Sequence, residues 1–474
     1  MTAVMDRPAA TVDVAAVALP RVLTSVAVTS MVAVSLAPSL LPRSAVVQAI
    51  LTGLLAALGW GLATAWHHRP RRRGAGRPSP SRDSARLLVL LAGAVTVAAA
   101  MLLADHWQDS LRVAMGVPTV GSGHWAQVVA GGAAIALTLA AGASAVAAGI
   151  RRLGALRSAT VVATLAIATQ FWAGPALWQS RAQSYHAANA TVDTSLRQPV
   201  SPSISGGPGS LTSWDSLGAQ GRKFVAAGVA SGAVRTYAGI DSAPDQDARV
   251  RLAVRELERA GGLAKSTVVV AVPTGSGWID GNAVQGLERR FGDDVAVVGV
   301  QYSSAPSWAT FLFDRDAAEQ SARALFTAVS DRISLLPEGE RPRLYVYGQS
   351  LGAVGASSIF LDEGLGERAC GALYAGPPAG SARTAGATVL ANSSDPVVRW
   401  SPRLLLHPPA LDGARTDAPR PAWLPIVSFV QTSVDLLSAL DAPAGHGHRY
   451  GTDQGTALPD GGCAAGVRVS PQPG

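Results

Sequence analysis

The sequence has only two cysteines, Cys370 and Cys463, and they are too far apart to form a C-x-x-C pair. Structural zinc sites are built from such pairs, so a zinc site of this kind is excluded. Both cysteines lie in the C-terminal part of the chain, where they either form one disulfide or remain two buried thiols. A stable disulfide would require this part to lie outside the cytoplasm.

Aromatic residues are also scarce, at 5% of the chain, although the formal net charge is +7. The arginines crowd into short segments between apolar runs and are not interleaved with aromatic residues, as an RNA-binding surface would need. The sequence therefore excludes nucleic acid as a partner.

Charged residues are absent from five long apolar runs in the first third of the chain. The runs are Val22 to Pro42, Ser44 to Trp66, Leu87 to Ala104, Trp125 to Ile150 and Ser158 to Ser180. A helix needs roughly 18–20 such residues to cross the hydrocarbon core, and lipid offers the backbone no other partners. The runs predict about five membrane spans. The alternatives are a cleaved signal peptide for the first run and a buried soluble helix for the third.

The same absence of charge argues against transport. Ion transporters and proton pumps keep acidic or basic side chains within their spans, and these runs have none. The spans are therefore predicted to anchor the protein or to form a lipid-access vestibule.

The arginines predict the orientation of the spans. Seven of them, Arg69 through Arg86, separate the second and third runs, and Arg151, Arg152 and Arg157 separate the fourth and fifth. The other connections hold one arginine each, Arg43 and Arg112. Cytoplasmic loops are rich in arginine and lysine. Five spans with the N-terminus inside would place both rich loops in the cytoplasm and the C-terminal domain on the far side.

The chain length of 474 residues suggests two or three units. We predict a transmembrane domain over 1–186, a linker or overlying loop rich in Ser, Pro and Gly over 187–213, and a globular domain over 214–474. In the globular part, β-branched runs such as "STVVVAVP" and "RLYVYG" alternate with helical patterns. This alternation predicts a mostly parallel sheet with helices on both faces, whose functional site lies at the carboxyl ends of the strands.

Ser350 lies at such a strand end, in Gly348-Gln349-Ser350-Leu351-Gly352. This segment fits the nucleophile elbow G-x-S-x-G, in which a sharp strand-to-helix turn exposes the serine hydroxyl. The alternative is a serine in a tight structural turn. The β-type run before it and the helix of small residues after it favour the nucleophile.

An activated serine needs a histidine base and a carboxylate that orients it. After Ser350 the candidates for the base are His446 and His448 in "GHGHRYG", of which His448 is preferred. His407, in a segment bounded by prolines, is interpreted as structural. Asp395 directly follows a β-type segment and is the predicted acid. The remaining carboxylates are weaker candidates: Asp412, Asp417, Asp435 and Asp441.

The oxyanion of an acyl-transfer intermediate needs two backbone N–H donors. We predict the N–H of Leu351 and one from the loop "VPTGSGWID", at Thr274 to Ser276 and thus Gly275 or Ser276. Two further side chains, Trp278 and Gln349, are predicted to line the substrate pocket, and Asp280 is a further candidate. Trp278 fits equally well as a plain core residue.

Several motifs together resemble the actinobacterial and proteobacterial family of membrane-anchored α/β-hydrolases with a separate transmembrane N-terminal domain. They are "SLAPSLLPRSAVVQAILTGLLAALGWGLA", "DSLGAQGRKFV", "PTGSGWID", "YVYGQSLGA", "NSSDPVVRW" and "GHGHRYG". The resemblance covers nearly the whole chain. It implies a multi-pass α-helical membrane domain followed by an α/β-hydrolase domain, with Ser350, Asp395 and one of the two loop histidines as a catalytic triad.

The sequence thus predicts a multi-pass enzyme of the cell membrane, with an extracytoplasmic serine hydrolase domain that cleaves acyl esters and uses no metal or organic cofactor. Its position next to the bilayer favours lipid or envelope esters. The alternatives are an acyltransferase with the same triad and a non-catalytic membrane scaffold. Neither the substrate nor the oligomeric state follows from the sequence.

Overall fold

The computed structural model describes residues 19–67, 80–227, 232–411, 413–460 and 463. The chain divides into two compact units. The first holds the described residues of Met1–Pro38, Arg43–Asp109 and Val120–Arg152, and the second holds those of Ser39–Pro42, Ser110–Thr119 and Leu153–Gly474.

The apolar runs form helices. They are α1 (Val22–Ser35), α2 (Ala45–His67), α3 (Pro80–Ala114), α4 (His124–Leu153), α5 (Ala155–Ala168) and α6 (Gly174–Ala190). A π-helical segment, Thr169–Ala173, joins α5 to α6, so that Ala155–Ala190 is one helix of 36 residues. The disturbance precedes Pro175, which has no N–H to continue the regular hydrogen-bond ladder.

Four helices in the described part of the chain are long and apolar enough to cross a membrane: Ala45–His67, Asp83–Ala114, His124–Leu153 and Ala155–Ala190. The first apolar run behaves differently, because α1 has only 14 residues. It is therefore ~21 Å long, against ~30 Å for the hydrocarbon core. The chain leaves this helix after Ser35, just before Pro38, since a proline disfavours helical backbone at the residue preceding it. The first of the five predicted spans is thus a shorter helix. The predicted orientation of the spans stays a prediction.

The C-terminal part contains one sheet of six parallel strands in the order β1-β3-β2-β4-β5-β6. The strands are β1 (Val234–Ala238), β2 (Thr267–Val272), β3 (Val295–Val300), β4 (Arg343–Gln349), β5 (Gly371–Ala375) and β6 (Thr388–Leu390). Each forms where the sequence predicts a strand, so the predicted fold class is confirmed. The β-branched runs of β2 and β3 are buried at every position, as expected of a parallel sheet covered on both faces.

In the described part of the chain, ten further helices follow α6. They are α7 (Gly218–Ala226), α8 (Gln246–Arg259), α9 (Gly281–Phe291), α10 (Ser307–Phe313), α11 (Arg315–Ser334), α12 (Leu351–Ser357), α13 (Glu363–Gly366), α14 (Pro396–Arg399), α15 (Val427–Asp435) and α16 (Asp453–Ala457). Alternate residues of each strand point to opposite faces. Val268 and Val270 of β2 pack with α8, α11 and α12, whereas Val269 packs with α7 and α9.

The segment 187–213 lies against the sheet domain. The N–H of Ser205 donates to the Arg235 carbonyl in β1 at 2.9 Å. Ser210 Oγ and the Leu211 N–H donate to the buried carboxylate of Glu256 in α8, at 2.6 and 2.8 Å. The part of this segment from Ser205 to Leu211 is thus hydrogen-bonded to the sheet domain, whereas its first residues, up to Ala190, end α6; the domain boundaries stay a prediction.

The register of the sheet determines which loops meet. Gln349 at the end of β4 pairs with Ala375 at the end of β5, and Gly348 pairs with Val272 at the end of β2. The residues that follow these three strand ends therefore lie together at the carboxyl edge of the sheet, where α/β proteins build their sites.

Candidate active site

Ser350 occupies the sharp turn between β4 and α12. Its backbone has φ 54° and ψ −123°, and Ile426 is the only other non-glycine residue with positive φ in the described chain. Both glycines of the motif are required by close approach. A Cβ on Gly348 would lie 2.3 Å from the Gly352 carbonyl oxygen, and one on Gly352 would lie 2.3 Å from that of Val272. The turn leaves Ser350 half-buried at the carboxyl edge of the sheet.

The His448 imidazole lies beside this turn. Its Nδ1 is 2.7 Å from Asp395 Oδ2, and because a carboxylate only accepts, Nδ1 carries the proton and Nε2 has the free lone pair. A Cβ on Gly376 would lie 2.8 Å from His448 Cε1, and the carbonyl of the preceding Ala375 accepts the Ser350 N–H at 2.9 Å. Serine and imidazole thus flank the same two residues. His448 Nε2 is buried and makes no hydrogen bond to any described residue, Ser350 Oγ included.

Asp395 is fully buried in the turn after β6. Its Oδ1 accepts the Val397 N–H at 2.8 Å and caps α14, while its Oδ2 accepts from both His448 and the Tyr450 hydroxyl, each at 2.7 Å. Burial raises the pKa of Tyr450 well above its usual range, and the Asp395 charge adds to this, so the phenol remains a donor. Tyr450 was not among the site residues predicted from the sequence. The available signal was its position two residues after His448, which in an extended segment puts both side chains on one side.

His446, the other candidate base, pairs with a different carboxylate. Its Nδ1 is 3.3 Å from Asp417 Oδ2. Asp417 also accepts from Ser393 Oγ and the Ser394 N–H, each at 3.0 Å, and from Ser394 Oγ. Ser394 Oγ in turn accepts the Gly447 N–H at 2.8 Å. This second pair therefore ties the histidine loop to the turn that carries Asp395.

The segment Ser39–Pro42, which belongs to the same compact unit, also contacts the histidine loop. The Leu40 N–H donates to Asp435 Oδ2 at 2.7 Å. Asp435, one of the weaker candidates for the acid, therefore binds this backbone. Leu41 is buried, and a Cβ on Gly447 would lie 3.1 Å from its Cδ2. No local pattern in the sequence indicates this contact. Asp441 is exposed, and Asp412 lies outside the described residues.

The loop after β2 forms a tight turn. The Gly277 N–H donates to the Thr274 carbonyl at 2.8 Å, and the Thr274 N–H donates to the Trp278 carbonyl at 2.9 Å. Within the described chain, the N–H groups of Gly275 and Ser276 have no acceptor. Both predicted donors of this loop are therefore free to bind an oxyanion.

Buried polar side chains hold this loop in place. Gln301 Nε2 donates to the Ser276 carbonyl at 3.0 Å, and the Tyr237 hydroxyl donates to that of Gly277 at 2.7 Å. The Leu351 N–H, at the first position of α12, also has no acceptor among the described residues. Gly352 approaches Val272 at the end of β2. The start of α12 therefore lies next to the strand that leads into the turn at Thr274 to Trp278.

Gln349, predicted to line the pocket, is instead buried beneath the site. Its Nε2 donates to the His448 carbonyl at 3.2 Å, and its Oε1 accepts from the Tyr347 hydroxyl at 3.3 Å. The Tyr347 hydroxyl also lies 2.7 Å from Gln454 Oε1, and Gln454 Nε2 donates to Asp280 Oδ2 at 2.8 Å. Burial raises the pKa of the Asp280 carboxyl, although the Gln454 hydrogen bond opposes this.

The buried network thus supports the backbone of the histidine loop from below.

Trp278 is half-buried. In the described ranges, no three His, Cys, Asp or Glu side chains are grouped as metal ligands.

Comparison with known proteins gives two family matches over complementary parts of the chain. The model described as "Alpha/beta-hydrolase family N-terminus" matches residues 36–228, and the model described as "Alpha/beta-hydrolase family" matches residues 234–388 and 384–458. The second match includes Ser350, Asp395 and His448. No curated protein matches the chain.

Proposed function

Because the chain belongs to this alpha/beta-hydrolase family, we propose that it is a membrane-bound serine hydrolase that cleaves acyl esters. One observation carries the proposal: the strained Ser350 and the His448–Asp395 pair flank the same two residues at the end of β5. A positive φ at a non-glycine residue is costly, about 1–3 kcal/mol, and persists where function requires it. A tight structural turn would not need a buried imidazole with an unused nitrogen beside it.

In the proposed reaction, Ser350 Oγ attacks the acyl carbonyl carbon while His448 Nε2 takes the hydroxyl proton. Asp395 holds the imidazole in the required tautomer and stabilises the imidazolium. The N–H groups of Leu351 and of Gly275 or Ser276 stabilise the oxyanion. His448 returns the proton to the leaving alcohol, and the acyl group stays on Ser350.

A water molecule then gives one proton to Nε2 and attacks the acyl carbon. The bond from that carbon to Ser350 Oγ breaks, His448 returns the proton to Oγ, and the acid is released. The hydrogen bond from Ser350 Oγ to His448 Nε2 is not present in this structure. We expect it to form when substrate binds.

We also propose that the hydrolase domain is extracytoplasmic. The helix Ala155–Ala190 begins next to the arginines at 151, 152 and 157, and it leads directly into the domain. If the arginine-rich connection is cytoplasmic, this helix carries the chain to the other side, whether or not α1 spans the bilayer. The disulfide between Cys370 and Cys463 supports this placement, since disulfides persist in oxidising compartments.

A fluorophosphonate probe tests the nucleophile. The wild-type protein should be labelled, and Ser350→Ala should not. Ser357→Ala is the matched control, because Ser357 lies in the same helix and its hydroxyl donates to the Val354 carbonyl at 2.8 Å. Labelling of Ser350→Ala would show that another residue is the nucleophile, and no labelling of the wild type would leave only the non-catalytic scaffold.

Two further measurements refine the proposal. A probe that does not cross membranes should label intact cells if the domain faces outward, and only lysed cells if it faces the cytoplasm. Product analysis with an added alcohol acceptor separates a hydrolase, which releases acid, from an acyltransferase, which forms a new ester.

A further inference from the structure

A cavity of about 540 Å³ opens at the carboxyl ends of β5 and β6, the same edge of the sheet at which Ser350 lies. One wall starts at Pro377, the residue after Gly376, and continues to Gly380. Another is formed by Val398 and Arg399 of α14. Two of the lining segments therefore follow Gly376 and Asp395, which both lie against His448, and much of the rest comes from the segment after α14, for example Leu404, Pro408 and Leu411.

Arg399 is the unusual residue of this cavity. It lines the space and is only 8% exposed as a residue, and its two terminal nitrogens are not among the fully buried polar atoms that lack a partner, so they are accessible from the cavity. Its Nε donates to the Ser393 carbonyl at 2.9 Å. Its two terminal nitrogens donate to no described residue, and no carboxylate among those residues forms an ion pair with it. Buried arginines are rarely left in this condition, because an uncompensated buried charge is costly.

The charges around Arg399 do not compensate for its burial. Burial, together with the charge of the neighbouring Arg420, lowers the pKa of Arg399 to about 10. The carboxylates of Asp417, Asp435 and Asp395 oppose this from a distance, but each accepts hydrogen bonds from other groups.

Most of the other lining residues carry no charge, and Arg403 is the second arginine among them. Arg403 and His407 also line the cavity, and none of its described lining residues is acidic. Apolar side chains such as Val389, Val398 and Leu404 complete the walls. A space with a forked, unpaired guanidinium at one side and apolar walls suits a small anionic group attached to an apolar body.

We propose that this cavity binds the anionic group of the ester substrate, a phosphate, sulfate or carboxylate that pairs with the Arg399 fork while the ester bond lies at Ser350. The inference rests on the proposed function and narrows it to anionic esters.

Binding of inorganic phosphate tests the anion site without catalysis. Phosphate should raise the thermal unfolding midpoint of the full-length wild type and of Ser350→Ala, and the shift should be lost in Arg399→Gln. Arg332→Gln, which removes a surface arginine paired with Glu258 on another helix, is the control and should keep the shift. If phosphate stabilises none of the proteins, or stabilises Arg399→Gln as well as the wild type, the proposal is wrong.

A matched pair of substrates tests whether the site serves the substrate. The esters are 4-nitrophenyl butyrate, which is neutral, and mono-4-nitrophenyl glutarate, which carries a carboxylate. Arg399→Gln should lower the ratio of kcat/KM for the anionic ester to that for the neutral ester by about 10- to 100-fold, as expected for loss of a charged hydrogen-bonded partner. Arg403→Gln, a change less able to disturb folding, should lower the same ratio by a smaller factor.

The outcomes separate the two proposals. Normal hydrolysis of both esters with an unchanged ratio in Arg399→Gln would overturn the anionic-substrate inference and leave the hydrolase proposal intact. Hydrolysis of neither ester by the wild type, with the phosphate shift retained, would refute the hydrolase proposal and the substrate assignment with it. The ratio also corrects for a general loss of folding, because misfolding lowers both rates together.

Discussion

Gly376→Ala should inactivate the protein through a single methyl group. The added Cβ would lie 2.8 Å from His448 Cε1, 2.8 Å from Tyr450 Cε2 and 2.9 Å from Asp395 Oδ2. Carbon atoms in contact are about 3.5–4.0 Å apart, so the imidazole would have to move by roughly 0.7 Å or more. A misplacement of about 1 Å in a catalytic group can lower the rate ~100-fold.

The backbone adds a second cost, because Gly376 has φ +55°. A non-glycine residue in this region loses about 1–2 kcal/mol of stability. Gly261→Ala separates the two effects. Gly261 has φ +78°, and a Cβ there would have no atom within 4 Å. The Gly261→Ala substitution should lower the free energy of unfolding by a similar amount without changing the reaction rate.

The assay is the rate of fluorophosphonate labelling, measured together with kcat for 4-nitrophenyl butyrate and the thermal unfolding midpoint. We expect Gly376→Ala to lose ~100-fold in both rates, and Gly261→Ala to keep them. If folded Gly376→Ala kept a third or more of the wild-type rates, then this contact would not position His448, and the placement of the base would have to be reconsidered.

Three further predictions follow from the hydrogen bonds and the disulfide. Asp395→Asn should lower kcat for ester hydrolysis by ~10³- to 10⁴-fold, because the amide disfavours the required imidazole tautomer. Asp417→Asn should lower kcat by ~10-fold or less. Equal losses in the two variants would mean that Asp395 is not the acid. Tyr450→Phe removes a donor from a buried carboxylate and should lower the free energy of unfolding by about 1.5–3 kcal/mol in denaturant titrations, and an unchanged midpoint would argue against the Asp395 contact. Replacing Cys370 and Cys463 by serine removes a disulfide between residues 93 apart and should lower the free energy of unfolding by up to ~4.5 kcal/mol. The wild type in reductant should lose the same amount. A thermal unfolding midpoint of the wild type that does not respond to reductant would mean that the disulfide is not formed.

Much of the fold could be predicted because it depends on short-range patterns. β2 and β3 are valine-rich runs that only a doubly covered parallel strand accommodates, and both form where predicted. The long apolar helices follow from the same kind of reasoning, since a charge-free run of sufficient length has few other structures. The exception is the first run, where Pro38 follows the early end of α1, so length alone overestimated the helix.

The candidate site divides in a similar way. The turn at Ser350 is local, because it depends on two glycines within five residues of chain, and the sequence predicted it. The choice between His446 and His448 is not local. Both lie in one glycine-rich loop and both face a carboxylate, but Asp417 and Asp395 come from different segments.

The sequence by itself determined the periodicity of the strands, the positions of the long apolar helices and the steric requirement at the elbow, because each depends on residues that are neighbours in the chain. Only the tertiary structure decided that His448 pairs with Asp395, that Cys370 bonds to Cys463 and that Arg399 lines a cavity with no described partner for its terminal nitrogens. These features join segments many residues apart, and the packing of those segments depends on the whole sheet. A local pattern therefore suggests which residues can react, whereas the folded chain selects which of them meet.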